Sequence, residues 1–178
     1  MTADQLERLV ARADIHDLLM RYCRGVDRLD EGLLRSCYHP DSTDDHGHWK
    51  GNGHEFATFI VGSLRDRAHH TTHAVANVLI ELDSDDPDAA SAESYAMASL
   101  RRTDERGEEW LDQFSGRYVD RVTRRDGVWR IASRVVVHDW SVSTRLDPAG
   151  SFPLAMDGFT QGRRDGGDLV YRRAEARP

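Results

Sequence analysis

The sequence contains no apolar run close to the roughly 20 residues that a helix needs to cross a bilayer. Its first residues, MTADQLERLV, have neither the basic start nor the apolar stretch of a secretion signal. Cysteine is scarce, since Cys23 and Cys37 lack CxxC spacing and indicate neither a disulfide framework nor a zinc knuckle. We therefore expect a cytoplasmic protein that does not contact membranes, with both thiols reduced and buried.

Positive charge is in deficit, with 24 lysine and arginine residues against 31 acidic residues and a formal net charge of −7. This balance favours solubility and gives no general attraction to a phosphate backbone, so nucleic acid is not an expected partner. The 178 residues are enough to bury a core as one domain, and no repeat or linker divides them.

Three helices are predicted in the first part of the chain. Apolar residues recur every three or four positions from Ala3 to Val26, which is the period of an amphipathic helix with one face on a core. A short second helix is expected around residues 33–38, ending before Pro40, and a third over residues 56–67. The polar segment between them, residues 41–53, is predicted to hold a short strand around His48 and Trp49. The first helix would bury Leu6, Leu9, Val10, Ala13, Ile15, Leu18, Leu19, Tyr22 and Val26.

Four strands are predicted after the helices. Residues 74–82, 89–102, 109–124 and 128–140 are rich in β-formers and alternate in stretches, and Asp126-Gly127 is a strong hairpin signal between the last two. Helices followed by an antiparallel sheet indicate an α+β domain over residues 1–140. Residues 141–178 have little periodicity, and we expect a tail that covers a pocket mouth or contacts a neighbouring subunit.

Two side chains are candidates for proton transfer. Asp27 lies where the pattern of the first helix breaks, and His73 lies at the start of the first long strand. Taken singly, a surface acid and a structural histidine are the more common interpretations. Together, a buried carboxylate bonded to one imidazole nitrogen makes the other nitrogen a general base. Tyr22, on the apolar face of the same helix, would donate a hydrogen bond or proton to an oxyanion.

Alternation selects further side chains that would line a pocket for a flat apolar ligand. Phe114 and Tyr118 share one face of their strand, and so do Tyr95 and Met97, although both pairs fit ordinary core positions equally well.

In the last strand, the pattern leaves the inward face open. Arg134 shares its parity with Trp140, whereas Trp129 has the opposite parity, and a bulge would exchange the two faces. A buried Arg134 needs an acidic partner or an anionic ligand group, and Asp27 is a candidate partner.

A metal site is not expected. The sequence His46-Gly-His48 with Glu55 resembles part of a cupin metal site, but the acid lies too far from the second histidine. His69 and His70 are predicted to be separated from His73 by the start of the strand.

Several motifs resemble one family. They are RADIHDLLMRYCRGVDRLDEG, YHPD, TTHAVAN and YVDRVTRRDGVWRIASR, and together they resemble the SnoaL-like branch of the nuclear transport factor 2-like superfamily. Within that branch the pattern is similar to scytalone dehydratase, hexachlorocyclohexane dehydrochlorinase and bile-acid 7α-dehydratase. The resemblance implies a cone-shaped α+β barrel in which helices pack on a curved, mostly antiparallel sheet.

The resemblance also implies roles for individual residues. Asp27 and His73 take the positions of a catalytic dyad, Tyr22 the position that assists the leaving group, and Arg134 that of a pocket arginine. We expect a cofactor-independent lyase that performs a dehydratase-type β-elimination on a hydrophobic cyclic or polycyclic small molecule, such as a steroid or polyketide, as a homotrimer or homodimer.

Two other functions fit the same resemblance. One is a proton-shift isomerase or polyketide cyclase. The other is a non-catalytic ligand carrier, or a partner like the small β subunits of ring-hydroxylating oxygenases.

Overall fold

The computed structural model describes residues 2–147 and 158–172 of the chain. Within them, no helix is long and apolar enough to cross a membrane. The elements are α1 (Ala3–Asp27), α2 (Glu31–Ser36), β1 (Tyr38–Asp45), β2 (Lys50–Asn52), α3 (Gly53–Arg67), β3 (His70–Leu82), β4 (Ala89–Thr103), β5 (Glu109–Arg125) and β6 (Val128–Arg145).

The strands form one sheet in the order β2-β1-β6-β5-β4-β3. Only the β1–β6 pair is parallel among the described strands, so the predicted mostly antiparallel sheet is confirmed. The helices pack on one face of this sheet, which we call the inner face, and the fold is α+β as predicted.

Helix α1 begins with a capping box, in which Thr2 and Gln5 exchange backbone and side-chain hydrogen bonds. The long predicted helix is confirmed, but its buried face begins only at Ala11. Apolar spacing shows which stripe of a helix is hydrophobic but not how far its partner extends. The prediction that the first turns are buried is therefore wrong, because at least half of the surface of each of Leu6, Leu9 and Val10 is exposed.

The sequence reading missed strand β1. The inward residues Ser42 and Asp44 are polar, so the segment lacks the hydrophobic alternation that marks a half-buried strand. Its anchoring includes a hydrogen bond of 2.8 Å from the backbone N–H of Ile131 to the carbonyl of Cys37, just before the strand. Strand β3 also begins earlier than predicted, at His70, and β6 continues to Arg145.

Two bulges in β6 decide which side chains face inward. The β5–β6 register shifts between Arg121 and Val122 and again between Ser115 and Gly116, and each shift inserts one extra residue in β6. The first bulge brings Trp129 and Arg134 to the inner face despite their opposite parity. The second moves Trp140 to the outer face, opposite Ser115.

The inner face of β4 is made of small residues, which lets the helices lie close to the sheet. Most of the core contributed by the helices comes from α1 and α3, including Ile15, Leu18, Phe56 and Val61. Both cysteines are free and buried, as predicted. The small inner residues of β4 are Ala90, Ala92, Ser94, Ala96 and Ala98.

Gly116 should not tolerate a side chain at the second bulge. A Cβ atom there would lie 2.1 Å from the backbone oxygen of Val137 and 2.6 Å from the ring of Phe114. We expect Gly116→Ala to lower the free energy of unfolding by about 1–3 kcal/mol in urea titrations. Gly62→Ala is the control, because nothing lies within 4 Å of its Cβ and alanine should stabilise helix α3 by about 0.5–1 kcal/mol. Equal stability of Gly116→Ala and wild type would contradict the close approach of the two backbones.

Candidate active site

Asp27 and His73 are in direct contact. Asp27 is the last residue of α1, and His73 lies near the start of β3, so the end of the helix meets the sheet at this point. The His73 Nδ1 atom lies 2.7 Å from Oδ1 of Asp27. The backbone N–H of His73 donates to both carboxylate oxygens, at 3.1 Å and 2.9 Å. Three hydrogen bonds therefore fix this carboxylate against one residue.

The contact sets the tautomer of the imidazole. An ionised carboxylate only accepts hydrogen bonds, so Nδ1 of His73 carries the hydrogen and Nε2 keeps a lone pair. The side chains of His73 and Asp27 are 14% and 12% exposed, which leaves access to the ring while shielding the pair from most water. This arrangement is that of an oriented general base.

On the inner face, the surroundings of His73 are small and apolar. His73 pairs with Ala98 of β4, which pairs with Phe114 of β5. Ala98 contributes only a methyl group at the position paired with His73, and Phe114 provides an aromatic surface one strand further. Phe114 and Tyr118 both lie on the inner face and contribute to the core.

Tyr22 lies further into the core than the Asp27–His73 pair. Its residue is 2% exposed, and burial raises the pKa of its hydroxyl well above the usual range, so the phenol is protonated at neutral pH. The hydroxyl lies 3.4 Å from Nε2 of His46. Tyr22 therefore stands beside a histidine that the sequence reading did not assign to the site.

Arg134 is paired with Asp120 and not with Asp27, so the predicted partner is wrong. Asp120 and Arg134 are directly opposite in the β5–β6 register, and two hydrogen bonds of 2.7 Å join Nε and Nη2 of Arg134 to the carboxylate. Both side chains are fully buried. The guanidinium carbon lies 4.0 Å from the ring centroid of Tyr22 and 4.1 Å from that of Tyr118, so two aromatic rings enclose the charge.

Three predicted pocket residues lie on the wrong side of the sheet. Tyr95, Met97 and Trp140 are 43%, 47% and 53% exposed and point to the outer face, away from His73. Alternation pairs residues on one face but does not say which face is inward, and the bulge before Trp140 changes its face. The prediction that these three residues line the pocket is therefore wrong.

A second histidine–carboxylate pair lies on β1 and just after it. Asp44 contacts Nδ1 of His46 through Oδ1 and accepts a hydrogen bond of 2.6 Å from the Tyr38 hydroxyl through Oδ2. His46 stacks on Phe56 with ring centroids 4.0 Å apart. The segment lacks hydrophobic alternation, so the only sequence signal for this group is that Ser42, Asp44 and His46 are polar residues at alternate positions.

Residues 158–172 lie next to the Asp27 end of the site. Arg164 donates to the carbonyls of Leu64 and Ala68 at the end of α3. The helix dipole also favours a cation at this C-terminal end. The Tyr171 hydroxyl donates to Asp30 at 2.8 Å. A cavity of about 410 Å³ adjoins Asp27 and is lined by Arg24, Asp27, Arg28, Asp168, Leu169 and Val170. The rest of the predicted tail, residues 148–157 and 173–178, lies outside the described residues.

The family described as "SnoaL-like domain" matches residues 7–135, which is more than half of the chain. The chain belongs to the SnoaL-like family. This confirms the resemblance of its motifs, and with it the nuclear transport factor 2-like superfamily. No curated protein matches the chain significantly.

Solved structures similar to this SnoaL-like protein include two that are named as hexachlorocyclohexane dehydrochlorinases. A type 2 hexachlorocyclohexane dehydrochlorinase (LinA) is 26% identical, with a TM-score of 0.69, and the match covers 87% of this chain and 99% of that one. A type 3 LinA from Novosphingobium barchaimii LL02 is 25% identical, with a TM-score of 0.68, covering 84% and 99%.

A more distant structure supports the fold alone. A proposed scytalone dehydratase from Novosphingobium aromaticivorans DSM 12444 is 20% identical, with a TM-score of 0.69, covering 83% of this chain and 99% of that one.

Proposed function

We propose that this protein is a cofactor-independent lyase that eliminates water or an acid from a hydrophobic cyclic or polycyclic small molecule. The observation that carries the proposal is the contact of 2.7 Å between His73 and Asp27 in a mostly buried position. The family match and the similarity to dehydrochlorinases support the same class of reaction. We also propose that the protein acts in the cytoplasm.

His73 is the base of the proposed reaction. Its Nε2 takes a proton from the carbon adjacent to the one that carries the leaving group, the C–H electron pair forms the new double bond between these two carbons, and the bond to the leaving group breaks. Asp27 holds the ring and stabilises the imidazolium that forms. A leaving hydroxyl needs a proton as it departs, which Tyr22 supplies, whereas chloride leaves as an anion.

The choice of a hydrophobic cyclic substrate rests on the wall beside His73. The row from His73 through Ala98 to Phe114 presents a methyl group and an aromatic ring but no charged side chain beside the base. Flat apolar molecules gain the most binding free energy from contact with such a surface. The single polar group, the imidazole of His73, then orients the reacting carbon.

The test is a substrate panel read by product mass. The purified protein is incubated with hexachlorocyclohexane isomers and with polycyclic β-hydroxy ketones, and His73→Gln is run beside it. Loss of hydrogen chloride or water that requires His73 supports the proposal. A product of unchanged mass indicates an isomerase or cyclase instead. Binding of the panel without conversion, unaffected by His73→Ala, indicates a ligand carrier and contradicts the proposal.

We also propose that the outer face of the sheet contacts further copies of the chain, as a homotrimer or homodimer. Exposed apolar side chains gather on this face, and a large apolar patch on a soluble protein is commonly an interface. Sedimentation of wild type and Met97→Glu tests this, and a stable wild-type monomer would contradict it. The patch consists of Tyr95, Met97, Val119, Val135, Trp140 and Val142.

We propose that residues 158–172 cover the site from the Asp27 side. The contacts of Arg164 with α3 and of Tyr171 with Asp30 hold this segment beside the cavity next to Asp27. In limited proteolysis, a bound substrate should protect this segment if it closes the site, and unchanged cleavage with substrate bound would contradict that role.

A further inference from the structure

The second histidine–carboxylate pair, Asp44 and His46, has no part in the proposed abstraction of a proton by His73. The Asp44 side chain is fully buried, and donors occupy both of its oxygens, namely the Tyr38 hydroxyl and Nδ1 of His46. Asp44 thus accepts a hydrogen bond through each of its carboxylate oxygens. It therefore fixes His46 with the hydrogen on Nδ1 whenever the ring is neutral.

This tautomer leaves Nε2 of His46 facing the hydroxyl of Tyr22, at 3.4 Å. In the neutral state, Nε2 has a lone pair and accepts the Tyr22 hydrogen, which holds that hydrogen away from any ligand. In the protonated state, Nε2–H donates to the Tyr22 oxygen, and the hydroxyl hydrogen is free to point elsewhere. The charge on His46 therefore decides where Tyr22 donates.

We propose that His46, held by Asp44, is a positioning residue that acts through Tyr22 and controls the acid end of the reaction. The inference rests on the proposed lyase function for the role of Tyr22. When His46 is protonated, the leaving oxygen takes the C–O electron pair and the hydroxyl proton of Tyr22, and Tyr22 takes the Nε2 proton of His46. No phenolate accumulates, and His46 ends neutral. His73 then releases to solvent the proton that it removed from carbon, and His46 takes up a proton from solvent, which restores both residues.

The surroundings of His46 favour its neutral form at neutral pH, so its effect on Tyr22 changes as the pH falls below neutral. Its side chain is 14% exposed, and burial lowers the pKa of the imidazole even though Asp44 opposes the shift. The protonated fraction therefore grows as pH falls below neutral. The titratable or charged groups that face His46 are Tyr22 of α1, Asp44 of β1, Tyr118 of β5, Arg134 of β6 and His48 of the following loop.

Comparing loss of chloride with loss of water distinguishes this role of His46 from a purely structural one. Chloride departs as an anion without a proton, whereas hydroxide must be protonated. His46→Gln should therefore lower kcat for loss of water by about 10²-fold, within the usual range for proton transfer, and change kcat for loss of chloride by less than about 3-fold. Tyr22→Phe, which keeps the ring in place, should show the same split. Equal losses in both reactions would overturn the proposal, since damage to the fold affects both.

A measurement on the protein without substrate tests the contact itself. Ring-nitrogen NMR of the wild type at pH 7.5 should show neutral His46 with its hydrogen on Nδ1, and Tyr22→Phe should shift the Nε2 signal as the hydrogen bond is lost. An Nε2 signal that is the same in both proteins from pH 5 to 8 would overturn the proposal. This result stands whether or not the protein proves to be a lyase, so the two failures are distinguishable.

Discussion

Replacing His73 with glutamine should lower kcat for elimination by about 10²- to 10⁴-fold, with a much smaller change in KM. The amide has no basic nitrogen, so the proton on carbon loses its acceptor while the substrate still meets Ala98 and Phe114. Asp27→Asn should produce a loss in the same range, because the imidazole then loses its orienting carboxylate. Steady-state kinetics on the substrate identified by product mass checks both changes.

The exposed pair His16 and Asp17 on α1 provides matched controls. Their side chains are 53% and 80% exposed and lie 4.0 Å apart, so they form a histidine–aspartate pair without burial. His16→Gln and Asp17→Asn should leave kcat within about 2-fold of wild type, since exposed pairs contribute little. A His73 variant that retains wild-type kcat would remove His73 from the chemistry.

Asp120→Ala should lower the free energy of unfolding by about 3–5 kcal/mol, because it leaves the guanidinium of Arg134 charged and unpaired in the core. Both side chains of this pair are fully buried, and Nη1 of Arg134 already has no hydrogen-bond partner among the described residues. Urea unfolding of the variant against wild type measures the difference.

The pair Arg102 and Asp112 is the control for burial. It is also bidentate, at 2.6 Å and 3.3 Å, but its side chains are 31% and 30% exposed. Asp112→Ala should cost at most about 1 kcal/mol, because water solvates the remaining arginine. Similar costs for the two substitutions would mean that burial does not set the energy of the Arg134 pair.

Sequence patterns marked Asp27 and His73 as separate candidates, because each residue lies at the end of an element with a strong pattern. The apolar period of α1 stops at Asp27, and β-forming residues begin near His73, but neither pattern places the two side chains together. The family resemblance joined the two positions. The helices and four long strands followed from the same periodicities, with errors at their ends.

Other parts of the site were outside the reach of periodicity. Strand β1 turns polar groups inward, so the segment holding Asp44 resembled a loop and its partner His46 was considered only as a metal ligand. The partner of Arg134 depends on the β5–β6 register, which the sequence does not give. Trp140 was misplaced because a single extra residue in β6 exchanges the two faces.

The ring tautomer of His73 tests the central claim most directly, read by ring-nitrogen NMR in wild type and Asp27→Asn. In the wild type we predict a hydrogen on Nδ1 and a lone pair on Nε2, since Asp27 accepts from Nδ1. In Asp27→Asn the backbone N–H of His73 should keep the amide oxygen, which turns the amide NH₂ towards Nδ1 and moves the ring hydrogen to Nε2. The same tautomer in both proteins, or a hydrogen on Nε2 in the neutral wild-type ring, would contradict the proposal that Asp27 prepares His73 as the base.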